Sequence, residues 1–249
     1  MANLELTGKT ILVTGASSGI GRGIALACAE AGAKCVLVAR NAERLEAVKS
    51  ECVGEGHVVE VVDLVDNEAM KSLVDRLPVL DGLVQCAGVG DKQLPLKFLS
   101  SEFIDEVLSI NLRAPMAFLA MLEKKKKLNK GASVVMMSSI SSFHATPAHS
   151  LYCASKAGLT AFTKAAALDL AGKKIRVNSI APGRVNTPMI EYSNISEEQK
   201  LADIAKYPLK RYGEVSDIAS AALYLLSDAS SWVTGQQFVL DGGVSVGGL

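Results

Sequence analysis

Short runs of aliphatic and β-branched residues alternate along this chain with longer stretches in which apolar residues recur every three or four positions. The runs are KTILVT (9–14), KCVLV (34–38), HVVEVV (57–62), GLVQC (82–86), SVVMMS (133–138), IRVNSI (175–180) and QFVLD (237–241). Most are continuously apolar rather than alternating, as in strands of a parallel sheet covered by helices on both faces. Between the first two runs, Ile20, Ile24, Ala27, Cys28 and Ala31 form one helical stripe, which Gly32 ends. Asn41 is placed to cap a helix over 41–53 that carries Leu45 and Val48. Val215, Ile218, Ala219, Ala222, Leu223 and Leu226 mark another helix over 215–226. Strand–helix alternation of this kind implies right-handed crossovers and a doubly wound α/β fold with a parallel seven-stranded sheet, as one domain over 1–249. Residues 188–212 break the pattern with two prolines and a short polar helix around 196–205. A segment like this inside a compact domain reads as a substrate-binding loop.

Composition narrows the function classes. Hydrophobic residues make up 49% of the 249, and charged residues 21%, as in an ordinary globular protein. Lys+Arg and Asp+Glu are both 26, so the basic excess of a nucleic-acid binder is missing. No apolar run approaches the roughly 18 residues of a membrane span. The start, MANLELTGK, has no signal-peptide pattern, so a cytoplasmic location is expected. Cys28, Cys35, Cys52, Cys86 and Cys153 are scattered and odd in number, which reads as buried thiols rather than disulfides. Neither they nor His57, His144 and His149 have metal-ligand spacing, and no metal is implied. The run Glu123-Lys124-Lys125-Lys126-Lys127 falls at a helix end, where cations meet the negative end of the dipole. It reads as a solvated terminus or as a docking patch for an acidic carrier.

The first strand runs into Thr14-Gly15-Ala16-Ser17-Ser18-Gly19-Ile20-Gly21 and then into a helix. Glycines at such a turn let a phosphate approach the backbone, and the helix start offers free N–H groups and a positive dipole end. This is a nucleotide-binding turn. The second strand ends in Val38-Ala39-Arg40-Asn41, with no carboxylate to hold a ribose diol. Arg40 instead offers a fork matched to phosphate, with Ser17 and Ser18 as added donors, so NADP(H) is the expected cofactor. The alternative is a solvated arginine with dual cofactor use. Asp63, with Leu64 beside it, is a candidate acceptor for the adenine amino group.

Tyr152 and Lys156 lie on one face of a predicted helix. An isolated phenol has a pKa near 10 and is a poor acid–base group at neutral pH, but a neighbouring ammonium lowers that value. Ser139 follows the fifth strand, at the carboxyl edge where ligands bind in parallel sheets. Asn111 stands in SINLRAP, and Pro182-Gly183 follows the sixth strand, with Val185 and Thr187 just beyond.

Taken together, these motifs resemble the short-chain dehydrogenase/reductase family, a Rossmann-fold family, over nearly the whole chain. The resemblance assigns Gly15, Gly19 and Gly21 to the cofactor turn and Asn111, Ser139, Tyr152 and Lys156 to a catalytic tetrad. It sets Pro182 to Thr187 beside the nicotinamide, and Ala87 and Gly88 at the cofactor ribose. The implied reaction is hydride transfer between a ketone and a secondary alcohol. Tyr152 would be the acid/base, Ser139 a hydrogen-bond donor to the reacting oxygen, and Lys156 the group that acidifies Tyr152 and binds ribose. Asn111 would hold a water in a proton relay. The family usually has Asn-Asn-Ala-Gly where this chain has Gln85-Cys86-Ala87-Gly88, which implies altered hydrogen bonding in support of the central strands and a tuned or less rigid site, without loss of activity. Ser141, His149, Met189 and Ile190 are candidates for the substrate pocket, although His149 also reads as an exposed loop residue. The tail YPLKRYGEVSDIASAALYLLSDASSWVTGQQFVLDGG is similar to 3-oxoacyl-carrier-protein reductases and to sugar, steroid and carbonyl reductases. The resemblance further implies a homotetramer packed through about 101–122 and 150–171, where Ala154, Ala157 and Ala161 permit close contact, and through the C-terminal segment, with an acyl carrier protein as a candidate partner. A non-catalytic NADP(H)-binding scaffold is the rival class.

Overall fold

All seven apolar runs form strands of one sheet in the computed structural model, which describes residues 4–90, 93–188 and 196–246. In chain order they are β1 (Thr10–Thr14), β2 (Lys34–Ala39), β3 (Val58–Val61), β4 (Leu80–Gln85), β5 (Leu128–Met137), β6 (Arg176–Pro182) and β7 (Gln237–Leu240). Their order across the sheet is β3-β2-β1-β4-β5-β6-β7, and every neighbouring pair is parallel. The expected doubly wound Rossmann fold is therefore present. From β1 the chain winds first toward β3 and then, through β4, toward β7. The two halves part at the carboxyl ends of β1 and β4, which opens a crevice there.

The helices are α1 (Gly19–Glu30), α2 (Ala42–Glu51), α3 (Asn67–Arg76), α4 (Ser101–Leu108), α5 (Ala114–Lys124), α6 (Ser150–Leu170), α7 (Glu197–Ile204) and α8 (Val215–Leu226). Local chemistry sets many of their starts. The Asn41 side chain accepts the Arg44 N–H at 2.8 Å, and Asp66 accepts the N–H groups of Glu68 and Ala69. Ser196 and Gln199 form a reciprocal capping box at the start of α7. Between α4 and α5 the helix widens into a π turn, Ser109–Arg113.

Side chains of each strand alternate between two cores. Leu12, Leu83, Val134 and Val177 face the layer of α3, α5 and α6, beside Phe118 and Leu159. Ile11, Val13, Val84 and Ile180 face α1, α2 and α8, beside Ile24, Leu45 and Ala222. Strand β5 begins earlier than the apolar run suggests. Leu128 pairs with Leu80 across a register shift, so the exposed Asn129–Gly131 stretch is drawn into the strand. Only Cys28 and Cys35 are buried thiols; Cys52, Cys86 and Cys153 are partly open, which corrects the uniform burial expected. They sit at the end of α2, just after β4 and in the first turn of α6, where covering is incomplete.

The lysine run does follow the end of α5. Lys125 pairs with Asp75 at 2.7 Å, and Lys127 donates to the Asp75 carbonyl at 3.1 Å, so part of the run ties α5 to the end of α3. Among the described residues no helix is long and apolar enough to cross a membrane.

One polar atom in the sheet is left over. Ser179 Oγ on β6 is buried and, among the described residues, has no hydrogen-bond partner. An unpaired buried hydroxyl costs about 1 kcal/mol or more. Ser179→Ala is expected to raise the thermal midpoint by about 2–4 °C, the response of a domain of this size. A lowered midpoint in differential scanning calorimetry would count against this account.

Candidate active site

The crevice at the carboxyl ends of β1, β4, β5 and β6 is a cleft of about 920 Å³. Gly15, Ser17, Ser18, Gly19, Ile20 and Gly21 line it from the first turn, and Arg40 from the end of β2. Asp63 and Leu64 follow β3, Ala87 and Gly88 follow β4, Pro182 ends β6, and Gly183, Val185 and Thr187 follow it. Ser139, Ser141, His149, Tyr152 and Lys156 line the same cleft. Met189 and Ile190 lie outside the described residues.

The first turn is shaped for close approach. Gly15 has φ +67°, and a Cβ there would sit 2.9 Å from the Ala87 nitrogen. A Cβ on Gly21 would sit 2.3 Å from the Gly15 carbonyl oxygen, so any side chain would force the turn apart. The Thr14 hydroxyl accepts the N–H groups of Cys86 and Ala87 at 3.0 and 3.1 Å, which locks the end of β1 to the end of β4. At the start of α1, Ser18 is extended, its side chain caps nothing, and the first turn carries no acidic residue. The first amides of α1 are thereby left to an anion in the cleft.

At the β2 end, Arg40 is mostly exposed and its Nη1 stands 4.0 Å from Asp63, a loose pair. Asp63 also accepts the Val65 N–H at 3.0 Å. Arg44 joins Arg40 on this wall. It was not singled out from the sequence, although its place one helical turn beyond Arg40 was a usable signal.

At the foot of the cleft Lys156 is 6% exposed. Its Nζ donates to the Met137 carbonyl at 2.9 Å and lies 5.6 Å from the centroid of the Tyr152 ring. Burial pulls the amine down to about 8. At pH 7 it still carries its proton. Helix α6 delivers both residues from successive turns, as their spacing predicts. Ser139, extended after β5, accepts the Ser141 N–H at 3.1 Å through its hydroxyl oxygen. That leaves the hydroxyl hydrogen available to donate.

Asn111 is placed differently from Ser139, Tyr152 and Lys156. It is fully buried in the π turn, behind the cleft wall. Its Oδ1 accepts the Val89 N–H at 2.8 Å, and its Nδ2 donates to the Val89 carbonyl at 3.0 Å and to Ser155 Oγ at 3.4 Å. A Cβ on Gly88 would lie 3.0 Å from Asn111 Oδ1 and 3.6 Å from Lys156 Nζ. The Asn111 amide is thus committed to the turn after β4. Gln85 is buried and its longer side chain donates to the Pro115 carbonyl at 2.7 Å. It anchors β4 to the start of α5, so an amide contact to the next element is kept in place of the loss expected. Cys86 is partly open to the cleft, yet enough protein surrounds it that desolvation pushes its thiol up to about 12.

The cleft has a further wall beyond the loop after β6; Asp203, Lys206 and Tyr207 fall within the expected substrate loop 188–212, while His144, Thr146 and Arg184 were not singled out. These six come from three separate segments and share no spacing that a sequence could display.

Three comparisons bear on this arrangement. The family model described as enoyl-(acyl carrier protein) reductase matches residues 15–245. The chain is 35% identical over 241 residues to a 3-oxoacyl-[acyl-carrier-protein] reductase of Rickettsia conorii, covering 97% of this chain and 98% of the relative. It is 37% identical over 243 residues to an L-xylulose reductase of Bos taurus, again covering 97% and 98%. A solved structure from Beutenbergia cavernae, described as an NAD(P)-dependent gluconate 5-dehydrogenase with NADP bound at low occupancy, aligns with a TM-score of 0.89 at 31% identity. That alignment covers 98% of this chain and 100% of the other.

The buried amine makes a stability prediction. Its fall from 10.5 to about 8 is a preference of roughly 3 kcal/mol for the neutral form in the folded state. Below pH 8 the amine is charged whether folded or unfolded, and the full burial cost is present. Above 10.5 it is neutral in both states and the cost vanishes. Stability from this group therefore rises with pH between those values. Lys156→Met is expected to melt several degrees above the native protein at pH 7, without cofactor, and the gap should close as pH rises from about 8 toward 10.5. A gap that stays constant with pH would refute the assignment.

Proposed function

The chain belongs to the short-chain dehydrogenase/reductase family, oxidoreductases that use a nicotinamide cofactor, and on that premise we propose that residues 1–249 form one catalytic domain interconverting a ketone and a secondary alcohol with NADP(H). The observation that carries the proposal is the Lys156 amine 5.6 Å from the centre of the Tyr152 ring, in a cleft that also bears the Ser139 hydroxyl.

The residues present fit the cofactor. The space that a Cβ on Gly15 or Gly21 would fill, and the uncapped amides of α1, suit a pyrophosphate. Arg40 and Arg44, with no acidic residue at the end of β2, suit the additional phosphate of NADP(H). Ala87, Gly88, Val185 and Thr187 supply the remaining wall, with Asp63 and Leu64 at the adenine side. When bound, the cofactor supplies a hydride to the substrate carbon or accepts one from it.

In the reducing direction Tyr152 gives its phenolic proton to the carbonyl oxygen as that oxygen becomes an alkoxide; in the oxidising direction it takes the proton back. Ser139 donates a hydrogen bond to the same oxygen. Lys156 keeps a positive charge beside the phenol, which favours its ionised form. Asn111 is a positioning residue, because its clamp on Val89 holds Gly88 against Lys156. His149 and Ser141 belong to the substrate rim.

A more specific reading is reduction of 3-oxoacyl thioesters on an acidic acyl carrier. It is favoured by the resemblance to the Rickettsia reductase and by Lys124 and Lys126, which are exposed and have no described ion pair. We also propose a cytoplasmic homotetramer. Ala154, Ala157, Ala161 and Leu168 make an exposed face on α6 that a second copy would cover. Sedimentation as a monomer would remove that assembly.

Tyr152→Phe is expected to lose about 10²–10⁴-fold in kcat while binding NADPH normally by fluorescence titration; near-normal turnover would end the proposal. The native enzyme should prefer NADPH to NADH in initial-rate assays, and Arg40→Ala should reduce that preference about tenfold or more. A native preference for NADH would contradict the cofactor assignment.

A further inference from the structure

The chain has eight arginines. Five are committed to the fold. Arg22 pairs with Glu51, Arg76 with Glu60, and Arg211 with Asp217 through both terminal nitrogens. Arg113 donates to Asn67 and Val65, and Arg176 to the carbonyls of Leu225 and Ser227. The other three, Arg40, Arg44 and Arg184, all line the cleft. Among the described residues, none of these three donates a hydrogen bond from its terminal guanidinium nitrogens. The proposed cofactor phosphate accounts for Arg40 and Arg44. Nothing in the proposed chemistry accounts for Arg184.

Arg184 is fixed in place from several directions. Its N–H donates to the Tyr207 hydroxyl at 3.1 Å, and its carbonyl accepts the Gly213 N–H at 2.9 Å. Its Nε lies 3.1 Å from Asp203 Oδ2. The same oxygen accepts the Tyr212 hydroxyl at 2.8 Å, while Lys206 Nζ stands 3.4 Å from Oδ1. Two cations thus share one carboxylate, and Arg184, Asp203 and Lys206 all face the cleft. Among the described residues neither cation has a second carboxylate partner. A guanidinium held by its Nε edge keeps its two terminal nitrogens as a fork for an oxyanion.

We infer that the substrate carries an oxyanion, a carboxylate or a phosphate ester, bound by Arg184 with help from Lys206 at a distance from the reacting carbonyl. This rests on the ketone–alcohol reading above and makes Arg184 a specificity-determining residue for it.

The test is hydride transfer from NADPH to three ketoses on one scaffold: fructuronate, fructose phosphate and fructose. One of the two anions should exceed fructose in kcat/KM by about tenfold or more, and the stronger of the two tells carboxylate from phosphate. Arg184→Gln should reduce that ratio about tenfold, mainly through KM, with partial return in Arg184→Lys. Lys206→Gln, on the exposed end of the cluster, should reduce it less and tests the same idea should Arg184→Gln fail to fold. Equal or better use of fructose by the native enzyme, or a ratio that survives these substitutions, overturns the inference. If none of the three turns over, thermal shifts of the NADP-loaded enzyme with mannonate, mannitol phosphate and mannitol decide it. Stabilisation by an anion that depends on Arg184 sustains the inference, and its absence overturns it. Tyr152→Phe separates this from the parent reading, since it should stop turnover of every substrate while leaving the Arg184-dependent thermal shift in place.

Discussion

A buried amine at the foot of a cleft, Lys156, is the constraint on which the rest of this molecule turns. Burying a lone cation is costly, and Lys156 gains one close acceptor, the Met137 carbonyl, and the face of an aromatic ring. The amine therefore sits near the limit at which it can remain charged in neutral solution. The elements around it are fitted to that tension. Strand β5 ends where its last carbonyl meets the amine. Gly88 passes without a side chain that would press on it, and the Asn111 amide behind fixes where that passage lies. The proposed acid–base role of Tyr152 depends on this arrangement rather than on the phenol alone.

The architecture was readable in advance because a strand buried on both faces must be apolar at nearly every position. Runs such as KTILVT and SVVMMS carry that requirement openly. The first turn was equally readable, since a backbone that must approach another backbone within van der Waals limits leaves only glycine at Gly15 and Gly21. Tyr152, Lys156 and Ser139 were found through spacing and through their place at the carboxyl edge of the sheet. Asn111 was found as a motif residue, but its actual partners were not, because Val89 and Ser155 reach it only through the fold.

Where the sequence reading fell short, the reason was tertiary. Gln85 looked like the loss of an amide contact. The extra methylene lets its side chain reach the Pro115 carbonyl, a partner invisible without the structure. Arg184, Asp203 and Lys206 assemble from the loop after β6, from α7 and from the turn beyond it, with no periodicity to announce them. Each is an ordinary charged residue in the sequence. Their meaning comes from contrast with Arg22, Arg76, Arg113, Arg176 and Arg211, whose guanidinium groups serve the fold. A charge already engaged and a charge held in reserve are written with the same letter.

The π turn at Ser109–Arg113 makes α4 and α5 a single rod with its two halves out of phase. In a regular helix each residue advances the azimuth by about 100°. Removing one residue from the regular part of α4 or α5 would rotate the residues beyond it by that amount against the sheet, displacing buried side chains such as Val107 or Phe118. Side chains along this rod can be exchanged one by one, but the count of residues cannot change. Insertions and deletions that the surface loops would absorb are, in this stretch, excluded by rotation alone.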